Sequence, residues 1–428
     1  MARLGDHMRN LEESLFWEIF YRHEVVRADL ARIFNVSAAT ISRSVGVLLA
    51  KKLAIEVGVA NPYRGRHPAL LCINPQLAYV AGLELDRDRV TAVITDLSGM
   101  LLGRGAVASA PQNSVDRTLK DCRRALETAL HDAGLEIGQL ARIGVGHTGT
   151  LDVQNGICLD WERMPHWRDA KLLAALRAEF QIEITLDDRA RAVALALHLL
   201  VPENRCYPSA IYVQIGTGIG AGIFVNGRML RGATLAGGEL GHIVIDRKGP
   251  LCSCGKRGCV EAFASIRATI NRVRNALEAG AKTSLRKAGS VTTDLTAEAI
   301  ISAARHGDQV AREALLETSE ALATGIANAA QLFNPSLVVL AGKFANAARE
   351  ILLEAVTRVV RAQCFDTVSR GLEIRVAPFR KDVGPVGCAL LASLDVAAEL
   401  LQREFFLPLM PARSEDYLQG QLENTGRP

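Results

Sequence analysis

A histidine and three cysteines lie close together within the stretch GGELGHIVIDRKGPLCSCGKRGCVEAF at residues 237–263. The four residues are His242, Cys252, Cys254 and Cys259. One imidazole and three thiolates form a complete tetrahedral ligand set for zinc, and four protein ligands leave no open position for a substrate. The spacing therefore predicts a structural zinc ion at residues 242–259. The alternative, three buried cysteines and a core histidine, is disfavoured by the glycines between the last two cysteines.

Several carboxylates accompany this cluster. Glu239 and Glu261 flank it on either side. A second acidic pair, Asp187 and Asp188, follows a predicted strand and precedes a predicted helix, which is where α/β proteins bind ligands. Such side chains accept hydrogen bonds from hydroxyl groups or act as a general base. The alternative role for either aspartate is to cap the helix. Together the carboxylates predict a site for a polar ligand.

A glycine-rich turn, Gly216-Thr-Gly-Ile-Gly220, separates two predicted strands. Backbone amides at such a turn are suited to hold a phosphate or a hydroxyl group. A hairpin that simply needs glycine explains the same residues equally well, so the turn alone does not identify a ligand.

The elements that must position these residues alternate between strand and helix from about residue 79 onward, which predicts an α/β fold. The predicted strands cover residues 80–85, 90–96, 101–107, 142–146, 182–186, 210–215, 220–225 and 337–341. Helices are predicted at 114–133 and 189–200, and the C-terminal half is mainly helical. The polar segment from about residue 405 to 428 is expected to form a tail.

The first ~76 residues have a different pattern, as a separate module would. An amphipathic helix is predicted at 10–23, and shorter helices follow at 27–34 and from the N-cap Ser37 to about residue 49. Asn35 lies at the tight turn between the two short helices. Strands at 53–58 and 69–73 with a basic turn between them complete a winged helix-turn-helix.

The second short helix presents small polar side chains that are suited to a DNA major groove, and the wing tip offers arginines for the minor groove or backbone. The predicted DNA contacts are Ser37, Ala39, Thr40, Ser42, Arg43, Arg64 and Arg66; Ser44 is also expected to face outward. Residues 1–75 contain ten Lys/Arg and seven Asp/Glu. The alternative is a small helical dimerisation module with a solvated charged face.

Composition narrows the class of protein. Hydrophobic residues make up 49% and charged residues 22% of the 428 residues, as in ordinary globular proteins. Neither a membrane span nor a signal peptide is predicted. Nine cysteines, six of them scattered singly, argue against a disulfide framework and favour a cytoplasmic location.

These motifs together resemble the ROK family, which contains bacterial sugar-responsive repressors and sugar kinases. The resemblance is carried by GTGIGAGIFVNGRMLRGATLAGGELGH, CSCGKRGCVEAF, NPSLVVLAG and the late Gly387-Cys-Ala, and it covers the chain to about residue 400. Because it carries the N-terminal module, the chain is similar to the family's repressor branch, which includes the xylose and N-acetylglucosamine repressors. The resemblance implies a two-lobed α/β domain of the actin-like, sugar-kinase-like (ribonuclease H-like) type at residues 79–404.

The resemblance also implies roles for individual residues. Zinc would be held by His242, Cys252, Cys254 and Cys259. The sugar-binding residues would be Asp187, Asp188, Glu239, His242 and Glu261, with Asp187 in place of the family's usual asparagine. Zinc would then fix Glu239 and Glu261 in position.

The chain departs from the family's kinases at the phosphate loop. The kinases have Asp-x-Gly-Gly-Thr there, whereas this chain has Glu84-Leu-Asp-Arg-Asp88. Side chains at Asp86 and Arg87 fill the space of two glycines. The segment Leu340-Ala-Gly-Lys-Phe also lacks the kinase glycine pair, and Ala190 replaces an expected asparagine. A general base without a phosphate-binding loop does not transfer a phosphoryl group, so no catalytic residue is predicted.

The sequence therefore predicts a cytoplasmic, sugar-responsive transcriptional regulator without kinase activity, most simply a repressor of genes for carbohydrate uptake or catabolism. Its predicted partners are operator DNA, a sugar or sugar derivative, and further copies of itself in a homodimer or dimer of dimers. The alternative is an ATP-dependent sugar kinase with an added DNA-binding module. A protein that uses the sugar fold only as a docking surface is a third possibility.

Overall fold

The computed structural model describes residues 2–59, 69–110, 113–161, 165–286 and 295–401, with side chains from residue 11 on. The predicted wing-tip residues Arg64 and Arg66 and the predicted tail at 405–428 lie outside the described residues.

The N-terminal part contains three helices and a three-stranded sheet. Its elements are α1 (Ala2–Arg22), β1 (Val25–Val26), α2 (Arg27–Phe34), α3 (Ala38–Ala50), β2 (Ala54–Val59) and β3 (Ala69–Ile73). Helix α2 ends because Asn35 adopts the left-handed conformation with φ of 51°, and α3 begins where Ser37 Oγ accepts a hydrogen bond from Thr40 N at 3.1 Å. The two helices enclose 115°, an angle typical of a helix-turn-helix. The sheet order is β1-β3-β2.

The next part is built on a five-stranded sheet, which we call the first lobe. Its elements are β4 (Tyr79–Leu85), β5 (Arg89–Asp96), β6 (Leu101–Ala108), α4 (Val115–Ala133), β7 (Leu140–His147), β8 (Thr150–Asp152), β9 (Ile157–Asp160), α5 (Leu172–Phe180), β10 (Ile184–Asp188) and α6 (Arg189–Leu200). The sheet order is β10-β7-β4-β5-β6, and β8 and β9 form a separate hairpin.

A second five-stranded sheet defines the second lobe. Its strands are β11 (Ala210–Ile215), β12 (Ile219–Val225), β13 (Arg228–Met229), β14 (Leu337–Ala341) and β15 (Glu373–Val376). Its helices are α7 (Val260–Ala264), α8 (Ile266–Glu278), α9 (Ala297–Arg305), α10 (Gln309–Phe333), α11 (Lys343–Ala347), α12 (Arg349–Gln363) and α13 (Asp366–Ser369). The last helix, α14 (Val383–Leu400), packs on the first lobe's sheet.

The two sheets have the same topology. Numbered along the chain within each lobe, both have the strand order 3-2-1-4-5. In both, the first three strands pair antiparallel and the fourth and fifth pair parallel to the first. This duplication, which is not evident as a short sequence repeat, agrees with the predicted two-lobed α/β architecture.

Helices α6 and α14 pack against each other where the lobes meet, and small residues allow the close approach. A Cβ added at Gly387 would lie 2.0 Å from Ala192 O, and one at Gly144 in β7 would lie 1.8 Å from Cys388 O. Distances this short exclude any side chain. Helix α14 is apolar and long enough to span a membrane, but 78% of its Val383–Leu400 stretch is buried inside the protein, as in a core helix.

Most predicted elements are confirmed, with three differences. Helix α1 begins at Ala2 rather than near residue 10. Strands β1, β8, β9, β13 and β15 are short, and neither these strands nor helix α5 were predicted. Ser44 is fully buried, because it lies one helical turn from the core residues Ile41 and Leu48 rather than on the exposed face.

Candidate functional site

The predicted metal ligands converge in a compact loop. The four ligand atoms of His242, Cys252, Cys254 and Cys259 all lie within 4.8 Å of one another. Cys254 Sγ is 3.7 Å from Cys259 Sγ, and Cys252 Sγ is 3.7 Å from His242 Nδ1. Ligands about 2.3 Å from a tetrahedral zinc ion are about 3.8 Å apart, so the donor set and its spacing fit zinc.

The loop is shaped by glycine and by two isolated β-bridges, Val244 with Cys259 and Leu251 with Arg257. Gly258 has φ of +75°, and a Cβ there would lie 1.5 Å from Asp246 O. The chain therefore turns back on itself tightly enough to bring the last cysteine against the first.

Glu261 links this loop to the glycine-rich turn. It lies in the first turn of α7 and is only 7% exposed. Its Oε1 accepts a hydrogen bond from Ser253 Oγ at 2.8 Å, and its Oε2 accepts one from Ile219 N at 3.0 Å. A Cβ at Gly218 would lie 2.8 Å from Glu261 Oε2. Glycine at 218 is thus needed for the approach of this carboxylate.

A cavity of about 570 Å³ lies between the lobes and is lined by residues of both. Its lining includes Asp188, Glu239, His242 and Glu261, four of the five predicted ligand-binding residues. His242 Nε2 is 4.0 Å from Glu239 Oε2, whereas Nδ1 faces Cys252. The imidazole therefore has one nitrogen on the metal-ligand side and the other beside a cleft carboxylate.

Two of the cleft carboxyl groups have perturbed acidity. Burial raises the pKa of Asp188, with Asp187 adding to the effect, although Arg191 and the amides of Ala190 and Arg191 oppose it. Burial likewise raises the pKa of Glu239, and the negative charge of Asp188 raises it further. Asp188 is also the N-cap of α6, since its Oδ1 accepts from Ala190 N at 2.7 Å. The capping role and the cleft-lining position thus coexist.

Asp187, the fifth predicted ligand-binding residue, is not among the residues that line the cavity. Its side chain is fully buried. Its Oδ1 accepts from Arg191 Nε at 2.6 Å, and its Oδ2 pairs with Arg231. Both oxygens are already bound to arginines, so Asp187 positions Arg191, which does line the cavity; a sugar contact by Asp187 itself stays a prediction that these contacts disfavour.

Comparison with known proteins identifies this arrangement. The ROK family matches residues 80–394. The chain belongs to the ROK family. The xylose repressor of Caldicellulosiruptor bescii is 25% identical over 396 residues, covering 92% of this chain and 98% of that protein. The DNA-binding transcriptional dual regulator NagC of Escherichia coli is 27% identical over 380 residues, covering 87% and 90%.

Solved structures show the same fold. A ROK-family transcriptional regulator described as a homologue of the E. coli MLC protein superposes with a TM-score of 0.72 at 25% identity, covering 91% of this chain and 98% of that one. The ROK hexokinase of Thermus thermophilus superposes with a TM-score of 0.61 at 29% identity, and the match covers 99% of the hexokinase but only 74% of this chain. The regulator thus matches a part of this chain that the kinase does not.

The ROK domain of this chain differs from a phosphate-binding site at the turn after β4. Arg189, the first residue of α6, pairs with Glu84 and, at 3.2 Å, with Asp86 Oδ2. A Cβ at Gly384 would lie 2.6 Å from a Glu84 oxygen, so this carboxylate also packs against α14. Burial raises the pKa of Glu84. Side chains and ion pairs therefore occupy the turn where the kinases have glycines.

Three residues of the cleft were missed because their signal is not local. Trp161, 3% exposed, lines the cavity and packs on His147 and Trp167, with ring centroids 4.2 and 4.9 Å away. Burial lowers the pKa of His147 to about 3. Arg87 and Arg189 line the same cavity from the first lobe. Only the tertiary structure brings these residues to the carboxylates.

The predicted DNA contacts on α3 lie on one accessible face. Ser37, Ala39, Ser42 and Arg43 are exposed and Thr40 is half-buried. Ser37 Oγ and Thr40 Oγ1 are 2.9 Å apart, so both hydroxyls lie at the N-terminal end of the helix.

The N-terminal module contacts the ROK domain at the far end of α6. Trp17 and Phe20 of α1 belong to one buried apolar cluster with Leu97 and Leu199 of the first lobe. Arg205, just beyond α6, is 8% exposed. Burial, with the nearby charge of Arg22 in α1, lowers its pKa to about 10. Helix α6 therefore extends from the cleft, at Asp188, to the contact with the module.

Proposed function

We propose that this chain is a cytoplasmic, sugar-responsive transcriptional repressor of genes for carbohydrate uptake or catabolism, and that it does not transfer phosphoryl groups. One observation carries the proposal. The cleft is lined by Asp188, Glu239 and Glu261, whose carboxylates can accept hydrogen bonds from a polyol, while Arg189 and its acidic partners occupy the turn that a kinase uses for phosphate. The relatives named as repressors support the same reading.

Zinc has a structural role in this proposal. His242, Cys252, Cys254 and Cys259 would hold it, and its closed shell would supply no catalytic water. Its contribution is to fix the loop that carries Ser253 and the start of α7. Ser253 in turn holds the Glu261 carboxylate at 2.8 Å, and His242 orients Glu239 from its other nitrogen. Loss of the metal would therefore release two carboxylates of the cleft together.

DNA would be bound by a module of about the first 76 residues. The exposed hydroxyls and Arg43 of α3 are suited to base edges and phosphates of a major groove. Arg64 and Arg66 are proposed to extend the contact from the wing. Two modules of a homodimer, or of a dimer of dimers, would then occupy two half-sites of an operator.

Helix α6 gives the ligand a route to the module. Its twelve residues span about 18 Å, from the cap Asp188 in the cleft to the end near Arg205, whose charge interacts with that of Arg22 in α1. A ligand changes DNA affinity only by binding one conformation better than another. Closure of the lobes on a sugar would move the cleft end of α6. The opposite end of α6 would then shift the N-terminal module and change the spacing of the two DNA-binding modules in the dimer.

The direct test uses the full-length protein and fluorescence anisotropy with labelled DNA from the region upstream of its own gene. We expect specific binding that one class of sugar weakens. Arg43→Ala should weaken DNA binding without altering sugar binding, whereas Asp188→Asn should do the opposite. Arg312→Ala, an exposed change on α10, serves as the matched control.

A second assay addresses the rival activity. The protein is incubated with ATP, magnesium and the sugars that bind, and ADP release is measured. Turnover above the level of an Asp188→Asn control would contradict the absence of phosphoryl transfer, and DNA binding that no sugar changes would contradict the repressor.

A further inference from the structure

One cysteine of the loop at residues 242–259 is open to the cleft. All nine cysteines of the chain lie within the described residues, and Cys254 alone is exposed, whereas Cys72 and Cys206 are half-buried and the other six are buried. Cys254 also lines the 570 Å³ cavity, together with its neighbours Ser253 and Gly255. A small solute that enters the cleft therefore reaches this sulfur more readily than that of any other cysteine.

A second sulfur lies within reach of the first. Cys259 Sγ is 3.7 Å from Cys254 Sγ, whereas the sulfurs of a disulfide are about 2.05 Å apart. Residues 253–257 are all exposed, and a Cβ added at Gly255 would meet no described atom beyond its chain neighbours within 4 Å. The turn thus has free space in which the two sulfurs can close a gap of less than about 2 Å.

Metal binding would make both sulfurs reactive. Only a thiolate, not a thiol, is a zinc ligand, and the thiolate is also the form that attacks a peroxide. Exposure decides which of the two reacts first. Cys254 meets the solute, whereas Cys259 is fully buried and is placed to attack the oxidised Cys254. The pair thus combines an accessible attacking thiolate with a resolving thiolate beside it.

We propose that Cys254 and Cys259 form a redox site that a hydroperoxide oxidises to a disulfide, and that a sugar bound in the cleft shields this site. The Cys254 thiolate attacks the peroxide, the O–O bond breaks, and the sulfur keeps one oxygen as a sulfenic acid while hydroxide or alkoxide leaves. The Cys259 thiolate then attacks that sulfur, the S–O bond breaks and hydroxide leaves. Two electrons pass from the sulfurs to the peroxide, and the two leaving anions take up protons from water.

The disulfide would remove two of the four metal ligands. His242 and Cys252 alone do not complete a tetrahedral zinc site, so the metal would leave. Ser253, which holds the Glu261 carboxylate at 2.8 Å, would then lose its fixed position. The oxidised protein would stay on its operator whether or not sugar is present. This last consequence rests on the proposed function, whereas the disulfide and the loss of zinc do not.

The test treats the full-length, reduced, zinc-loaded protein with hydrogen peroxide. A chromophoric chelator reports released zinc, and differential alkylation with mass spectrometry maps the thiols. We expect zinc release in step with a disulfide between Cys254 and Cys259, and recovery of the site after a thiol reductant and zinc are added. A bound sugar at about ten times its Kd leaves about a tenth of the protein unliganded, so release should become about tenfold slower.

Two variants separate this site from general oxidation. Cys254→His replaces the attacking thiolate by another zinc ligand, so it should bind zinc and keep it in peroxide. The matched control Cys206→Ser should release zinc as the wild type does. If Cys254→His fails to bind zinc, the alkylation map of the wild type still decides the question.

Three results would overturn the redox site: zinc retained by the oxidised wild type, a first disulfide that joins other cysteines, or zinc release from Cys254→His as fast as from the wild type. Release that a bound sugar does not slow would overturn the shielding. Absence of binding by every sugar would instead overturn the proposed function, and the disulfide and zinc release would still establish the redox site.

Discussion

Replacing Asp187 and Asp188 one at a time tests whether the first is a buried positioning residue and the second the proposed ligand-binding residue. Asp187 is fully buried and pairs with Arg191, whose side chain is 3% exposed. Removing one partner of a buried ion pair costs about 3–5 kcal/mol. The second pair, with Arg231, adds little because that side chain is 31% exposed and its charge is screened. Asp187→Asn keeps one acceptor oxygen, so we expect a loss near the lower limit, about 3 kcal/mol.

Asp188→Asn should behave differently. Burial already raises the pKa of this carboxyl, so a neutral side chain removes an unfavourable buried charge. The amide oxygen of asparagine can still accept from Ala190 N and cap α6. We expect the free energy of unfolding to change by less than about 1 kcal/mol while sugar affinity falls about tenfold or more, the loss of one hydrogen bond to a charged acceptor.

The assay is urea denaturation of both variants together with titration of the sugar that binds the wild type. A double-mutant cycle of Asp187→Asn with Arg191→Gln should give a coupling energy above about 1 kcal/mol, as expected for residues in contact. The reasoning is refuted if the coupling is near zero, or if Asp187→Asn keeps wild-type stability while abolishing sugar binding, because Asp187 would then touch the ligand.

Three further predictions concern the metal, the pH dependence and the packing. Cys254→Ser should reduce the zinc content measured by mass spectrometry from one ion per chain to none and remove the sugar response, while DNA binding remains; retention of the metal would contradict the ligand assignment. Burial lowers the pKa of His147 and of His198 to about 3, so below pH 6.5 the unfolded chain binds more protons than the folded one and stability falls as pH falls. Between pH 7 and 5 each histidine should cost about 2 kcal/mol of unfolding free energy. His147→Asn, whose amide oxygen replaces Nδ1 as acceptor from Gly149, should lessen that loss in urea titrations at the two pH values, and an unchanged loss would count against it. Gly144→Ala should lower the free energy of unfolding by more than about 2 kcal/mol, because its Cβ would lie 1.8 Å from a carbonyl oxygen of α14; a thermal midpoint equal to wild type would show that α14 can move away.

Local patterns account for what the sequence predicted well. The metal ligands lie within eighteen residues, so their spacing alone indicates the cluster, and the four ligand atoms do converge. Helix α2 ends at Asn35 and α3 begins after Ser37, as predicted. Caps and left-handed turns depend on only a few neighbouring residues. The resemblance to the ROK family is confirmed by the match over residues 80–394.

The missed features depend on residues far apart in the chain. Arg189 forms an ion pair with Glu84, about a hundred residues away along the chain. Trp161 reaches the cleft through a short hairpin that has no clear alternation of apolar and polar residues. No window of a single sequence contains both partners of such a contact.

The adjacent aspartates show the difference between what local sequence indicates and what the tertiary structure decides. The sequence by itself indicated two carboxylates that follow a strand and precede a helix, a His/Cys cluster with the spacing of a zinc site, and an N-terminal helix-turn-helix. Only the tertiary structure decided which carboxylate lines the cleft. Side chains alternate between the two faces of a strand, so Asp187 at the end of β10 points to Arg191 and Arg231, while Asp188 caps α6 and lines the cleft. Charge and spacing identify such a site, but the arginines that the fold brings to one face decide which charge stays available.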